Sequence, residues 1–278
     1  MRTERGRGHH HPARKRFGQH FLERAWAEKV VRAIAPAAHE SFLEIGPGRG
    51  AITALLASAA RDVVAFEIDR DLAASLRDAA WPRVHVVEGD FLTVSAERLQ
   101  ESLDTLAVRP TTIRVAGNLP YNVASPILFR LIDLYRAGIP LTDATLMLQR
   151  EVAIRLLAAP GNKDYGVLTI LVGRHATVES VLALPAGAFR PVPKVQSTLV
   201  RLRFHPARPP VRDEQVFESL TQAIFTRRRK TIANAMLAYP LKAHQSPLAT
   251  LQAVGVDPRR RPETLTLDEL TRLADLLM

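Results

Sequence analysis

Gly117-Asn-Leu-Pro-Tyr-Asn122 holds the residue types needed to orient a poorly nucleophilic amine. In an exocyclic amine such as adenine N6, the nitrogen lone pair is delocalised into the ring. A side-chain oxygen from Asn118 and a backbone carbonyl from Leu119 can accept its two hydrogens. That localises the lone pair and aims it at an electrophile. Such a site needs no strong base, because positioning and fixed dipoles carry most of the barrier reduction. Pro120, with its fixed φ, stiffens the loop. The ring of Tyr121 can stack on the base, worth roughly 1–3 kcal/mol. Taken alone, six residues also fit an ordinary Asn-Pro turn with a core tyrosine, so the residues upstream have to decide.

Upstream lies Glu44-Ile-Gly-Pro-Gly-Arg-Gly50, where a short apolar strand turns into a helix. Gly46 and Gly48 let the backbone approach a ligand closely, and a helix N-terminus favours an anionic group. The next strand ends in Glu67, whose carboxylate can accept both hydroxyls of a ribose, as an acid about twenty residues after a glycine loop does in nucleotide sites. Glycines and acid together fit either a dinucleotide or S-adenosylmethionine. The third strand runs into Glu88-Gly-Asp90, and Asp90 can accept from an adenine amino group, which a dinucleotide site does not require. The cofactor expected is therefore S-adenosylmethionine, whose methyl sulfonium is the electrophile that an oriented amine needs.

The elements that must position these residues alternate. Helical spacing of Trp26, Val30, Val31 and Ile34 predicts a helix over 24–35. Strands are predicted at 41–45, 63–66, 84–87, 112–116 and 144–148, with helices at 50–60, 70–80 and 125–137. Strands separated by helices indicate parallel βαβ units. Segments 167–176, 178–184 and 197–204 are rich in β formers and predict an antiparallel addition at the sheet edge. The fold class is thus α/β: a doubly wound, Rossmann-like, mostly parallel methyltransferase sheet with an antiparallel edge. His205-Pro-Ala-Arg-Pro-Pro210 reads as a linker. Beyond it the pattern is helical only: Phe217, Leu220, Ile224 and Phe225 share one face, and Thr266-Leu-Asp-Glu269 reads as a capping box. The expected organisation is a flexible basic tail over 1–13, a methyltransferase domain over 14–204, a linker over 205–210, and a small helical RNA-binding domain over 211–278.

Composition sets limits on these readings. The 278 residues carry no cysteine, which excludes disulfides and cysteine-bound zinc, and a formal charge of +10, which favours a polyanionic partner, chiefly nucleic acid. No apolar run is long enough to cross a bilayer. The run His9 to His11 has no carboxylate or cysteine cluster beside it, so no metal site is expected. The basic clusters Arg227-Arg-Arg-Lys230 and Arg259-Arg-Arg261, with Lys194, can lie on phosphates around a cleft, giving affinity and salt dependence with little sequence choice.

Several stretches together resemble the KsgA family of small-subunit rRNA adenine dimethyltransferases. They are Arg14-Lys-Arg-Phe-Gly-Gln-His-Phe-Leu22, Glu44 to Gly50, Glu67-Ile-Asp-Arg-Asp71, Asn118 to Asn122, Phe189-Arg-Pro-Val-Pro-Lys-Val195 and Arg228-Arg-Lys-Thr-Ile232. The resemblance implies that His20 and Leu22 border the cofactor and that Gly46 approaches its methionine part. It further implies that Glu67 holds the ribose, Asp90 the adenine, and that Asn118 sits at the reacting centre. Phe189 would stack on the flipped target adenine. His20 stands where the family often has asparagine, and Val192 and Gln196 replace a common proline and aspartate. The implied activity is N6-dimethylation of two adjacent adenosines in the 3′-terminal hairpin loop of 16S rRNA, within the small (30S) ribosomal subunit or its precursor, in the cytoplasm. Two rivals are a large-subunit rRNA adenine methyltransferase of the antibiotic-resistance type and a non-catalytic relative that keeps the fold for RNA or DNA binding. The Arg228 to Ile232 segment and the C-terminal helices favour the small-subunit enzyme over the first. The intact Asn118 to Tyr121 loop argues against the second.

Overall fold

A computed structural model describes residues 20–242 and 245–278. The tail and the His9 to His11 run lie outside the described residues, as does the start of the Arg14 to Leu22 motif.

The chain runs β1 (Phe21–Leu22), α1 (Arg24–Ile34), β2 (Ser41–Ile45), α2 (Thr53–Ala59), β3 (Asp62–Glu67), α3 (Arg70–Asp78), β4 (Val84–Glu88), α4 (Ala96–Asp104), β5 (Ile113–Asn118), α5 (Ala124–Arg136) and β6 (Leu141–Gln149). It continues through α6 (Arg150–Leu156), α7 (Val167–Gly173), β7 (Ala176–Leu184), β8 (Phe189–Arg190) and β9 (Ser197–Phe204). The last helices are α8 (Glu214–Thr226), α9 (Ile232–Met236), α10 (Pro247–Ala253) and α11 (Leu267–Leu276). Seven strands form one sheet in the order β4-β3-β2-β5-β6-β9-β7. The first five are parallel, and β9 runs antiparallel to both β6 and β7.

Every residue of β2 and β3 is buried, as expected of central parallel strands covered by helices on both faces. Alternation splits the side chains between two cores. Leu43, Val64, Val115 and Leu146 pack with α4 and α5. Phe42, Val63, Ala116 and Met147 pack with α1 and α2. The strand order reverses between β2 and β5, and this is the point where open α/β sheets bind ligands.

One expectation is corrected. Residues 167–176 read as β-rich, but 167–173 form α7 and only Ala176 onward is strand. The reason is that this run serves two cores at once. Leu168 and Val172 pack with the sheet core, while Ile170 and Leu171 join the helical core built on Phe217, Leu220, Ile224 and Leu273. A helix can show faces to both, and an edge strand cannot. Arg174, just past α7, seals the junction. Its guanidinium donates to Glu214 Oε2 (2.6 Å) and Oε1 (3.0 Å) and to Pro209 O (3.1 Å), and it lies 4.3 Å over the Phe217 ring. At the far end of the helical part, Thr266 and Glu269 form both bonds of the capping box that opens α11.

Candidate active site

The glycine loop follows β2 directly. Gly46 (φ 66°) and Gly48 (φ 60°) occupy left-handed backbone, which turns the chain sharply away from the end of β2. Gly46 sits against β5: a Cβ there would lie 3.9 Å from Asn118 O. Gly48 N–H donates to Glu67 Oε2 (2.9 Å), and Asp69 N–H donates to Glu67 Oε1 (2.9 Å). Glu67 at the end of β3 is therefore a held carboxylate with lone pairs left over on both oxygens. Its burial outweighs those bonds and raises its pKa above the usual carboxylate range.

β1 crosses in front of this loop. It pairs antiparallel with β8, Leu22 opposite Phe189, and Glu23 N–H donates to Ala188 O (2.9 Å). Phe21 covers Gly48, and the Arg49 guanidinium lies 4.1 Å over its ring. Between β1 and the strand ends lies a cavity of about 270 Å3 whose walls include His20, Leu22, Glu44, Gly46, Gly48, Glu67, Asn118, Leu119, Pro120 and Tyr121. A second lobe of about 120 Å3 adjoins it, sharing Gly46, Ile68 and Pro120. That lobe is mostly apolar, with Phe66, Phe91, Leu92 and Ile127, and has Asp90 in its wall. Asp90 also caps the following turn by accepting from Leu92 N–H (3.0 Å) through Oδ1, so its cap role and a ligand role coexist.

The Asn118 amide is oriented by the chain itself. Its Nδ2 donates to His20 O (2.8 Å), which identifies Oδ1 as the atom left to accept. Tyr121 lies alongside: its hydroxyl shares a hydrogen bond with Ser197 Oγ (2.9 Å) and its ring stacks on His20 at 5.5 Å between centroids. The His20 ring donates from Nδ1 to Pro191 O (2.7 Å), since a carbonyl can only accept. His20 thus touches the amide, the stacking tyrosine and the β8 loop. The pairing of a polar lobe, an apolar lobe with a carboxylate, and an oriented amide suits a nucleoside cofactor next to an amine.

A family model described as ribosomal RNA adenine dimethylase matches residues 10–277. The chain belongs to this family. Ribosomal RNA small subunit methyltransferase A of Nitrosococcus oceani is 43% identical over 265 residues, covering 95% of both chains. The Myxococcus xanthus protein of the same name is 41% identical, covering 94% of this chain and 89% of its own. Among solved structures, a dimethyladenosine transferase from Plasmodium falciparum shares the fold with a TM-score of 0.71 at 23% identity, over 91% of this chain and 96% of its own. The 23S rRNA methyltransferase ErmE matches with a TM-score of 0.61 at 27% identity, over 92% of this chain and 99% of its own. This dimethylase is a methyltransferase that acts on rRNA, and its cofactor is S-adenosylmethionine.

Within that family, one expectation changes for this chain. Phe189 is fully buried in the core with Leu22, Val30 and Leu199 and is absent from the cavity wall, so its ring offers no face to a base in this arrangement. The pairing of Leu22 with Phe189 draws that ring under β1. In the second basic cluster Arg260 is held within the fold, while Arg259 and Arg261 are exposed. Arg260 binds both Glu269 oxygens, and Arg259 pairs with Asp257. Arg228 donates to the carbonyls of Lys163 and Asn162, and Arg227 to Asn234 O. Lys194, Arg229 and Lys230 are exposed. No group of metal-ligating side chains is found among the described residues. No helix is long and apolar enough to cross a membrane among them.

The sequence motif contained one residue whose importance only the structure reveals. Glu44 is 1% exposed, lines the cavity, and leaves its Oε2 without a hydrogen-bond partner. Burial pushes its carboxyl up to about 8, with Glu67 adding to the rise and the nearby Thr53 hydroxyl opposing it.

Proposed function

We propose that this dimethylase transfers methyl groups to N6 of two adjacent adenosines in the 3′-terminal hairpin loop of 16S rRNA, acting in the cytoplasm on the small (30S) subunit or its precursor. The observation that carries the chemistry is the Asn118 amide, held by His20 O so that its oxygen accepts. The target class rests on the small-subunit methyltransferases that match almost the whole chain at about two-fifths identity.

Glu67 would take the ribose hydroxyls on the lone pairs that Gly48 and Asp69 leave free. The apolar lobe would take the adenine of the cofactor, with Asp90 accepting from its amino group. Gly46 keeps the wall next to Asn118 low, so the methionine part can lie against the reacting centre. When bound, S-adenosylmethionine supplies a methyl carbon on a sulfonium. Asn118 Oδ1 and the Leu119 carbonyl accept the hydrogens of the target amine and aim its lone pair. The bound cofactor would supply the electrophilic methyl group to that lone pair, and the methylated amine would give one proton to solvent. Tyr121 stacks on the extruded base after releasing its His20 ring, at a stacking gain of roughly 1–3 kcal/mol. Phe189 supports this from below, by packing, rather than as the stacking ring. Lys194, Arg227, Arg228, Arg229 and Lys230 would hold the RNA by its phosphates.

Mapping of methylated adenosines tests this reading. In cells lacking the protein, 16S rRNA loses two adjacent N6-dimethylations, and purified protein restores them on immature small subunits. Modification found in 23S rRNA instead would transfer the chain to the activity of ErmE.

A further inference from the structure

Buried charge in this protein is neutralised where it serves the fold. Arg174 is met by Glu214, and Asp143 by Arg114 and Arg201. Inside the cavity Glu44 has no such counter-charge. It has a second buried carboxylate, Glu67, in the same wall, with Asp69 just beyond. Among the described residues, the elements packed around it supply no cation at bonding distance. From β5 it faces Ala116, its register partner, and from α2 the uncharged Thr53. His20, Arg24 and Arg190 stand on the lip formed by β1 and β8, and Arg49 lies over the Phe21 ring. Two carboxylates in one desolvated wall, one with an unpartnered oxygen, do not both ionise without a cation between them. The pKa of about 8 agrees with that geometry.

S-adenosylmethionine carries one more positive charge, on sulfur, than the thioether left after transfer. We propose that Glu44 is the proton-linked residue by which this cavity selects the sulfonium form: uncharged in the empty protein, it loses its proton to solvent when the cationic cofactor enters and regains one once the sulfonium has become a thioether. This rests on the reading of the cavity as the cofactor site. The consequence is that substrate cofactor and spent cofactor, alike in shape, differ in affinity through the charge of one side chain. Binding of the sulfonium then strengthens as pH rises toward 8, because ionising Glu44 costs less there. Above that pH the gain levels off.

Titration calorimetry of the full-length protein at pH 7, repeated in buffers of different ionisation enthalpy, tests this directly. S-adenosylmethionine should release close to one proton per site, and S-adenosylhomocysteine distinctly less. Between pH 6.5 and 8 the dissociation constant for the sulfonium should fall by up to about tenfold per unit, the limit for one linked proton. Glu44→Gln should abolish the release and flatten that dependence, which assigns the linked proton to this side chain. Equal heats in all buffers, equal release for the two cofactors, or release that survives in Glu44→Gln would each overturn the proposal. Should Glu44→Gln not fold, the infrared band of a protonated carboxyl in the parent protein decides: it must be present when the cavity is empty and disappear on adding S-adenosylmethionine. No binding of either cofactor would instead refute the cofactor site itself.

Discussion

The two edges of the central sheet handle buried charge in opposite ways. At the edge where the parallel strands begin, Arg114 donates to both oxygens of Asp143 (2.9 Å each), to Glu40 (2.9 Å) and to the carbonyls of Ile34 and Ala35 at the end of α1. Arg201 from β9 adds bonds to Thr145 and to Ala33 O. At the edge where the strands end, Glu44 and Glu67 are as well buried, yet no guanidinium among the described residues answers them. One edge closes its own electrostatics and ties α1 to β5, β6 and β9. The other leaves acceptors open toward a cavity. Among the described residues, buried carboxylates left without a cation beside the cavity fit a site kept for a ligand.

The contrast can be broken most severely at the closed edge. Arg114→Met leaves Asp143 and Glu40 without their main cation and should cost roughly 3–5 kcal/mol of stability in urea unfolding. Cofactor affinity of the folded protein should stay within about twofold of the parent, and a larger loss would show that the two edges are not independent. At the open edge, Asn118→Ala removes the oriented acceptor and should slow single-turnover methyl transfer by about a hundredfold or more, with the fold intact. A rate within about threefold of the parent would remove Asn118 from the chemistry.

Glu44→Gln sharpens the contrast through pH. The folded carboxyl has its pKa at about 8, above the ordinary 4.5 of the unfolded chain, so between those values the folded state binds more protons. The parent's stability therefore falls as pH rises through that window, and the glutamine variant has no such slope. Thermal unfolding of the empty protein should show the variant gaining on the parent from pH 5.5 to 8, by a total of the order of a few kcal/mol. A constant difference across that range would mean that Glu44 is already ionised. Asp90→Ala should weaken S-adenosylmethionine binding by roughly 1–3 kcal/mol in calorimetry, since only one of its oxygens is used by the turn. Unchanged affinity would reduce Asp90 to its cap. The smallest effect is expected at the surface. Neutral replacement of Arg227 to Lys230 should lower the salt slope of RNA binding by about one unit for each phosphate no longer neutralised, while cofactor affinity is unchanged. A fall in cofactor affinity with an unaltered slope would assign that cluster to the fold.

By itself the sequence determined the local chemistry and its order along the chain. Glycines after the first long strand, acids at the ends of the next two, and Asn-Leu-Pro-Tyr after the fourth are read from residue type and spacing, and periodicity placed the strands that carry them. These features are legible because turns, caps and the alternation of apolar residues depend on neighbours a few positions away. Tertiary structure decided what those groups meet. The amide of Asn118 is aimed by a carbonyl at His20, far away in sequence, and Phe189 is drawn into the core because β8 pairs with β1. Residues 167–173 become helix because two cores claim opposite sides of them. Glu44 looks like any motif acid until the strands on either side bury it with one oxygen unpartnered. Burial and long-range hydrogen bonds arise only when distant segments are packed together, and no spacing rule along the chain encodes them.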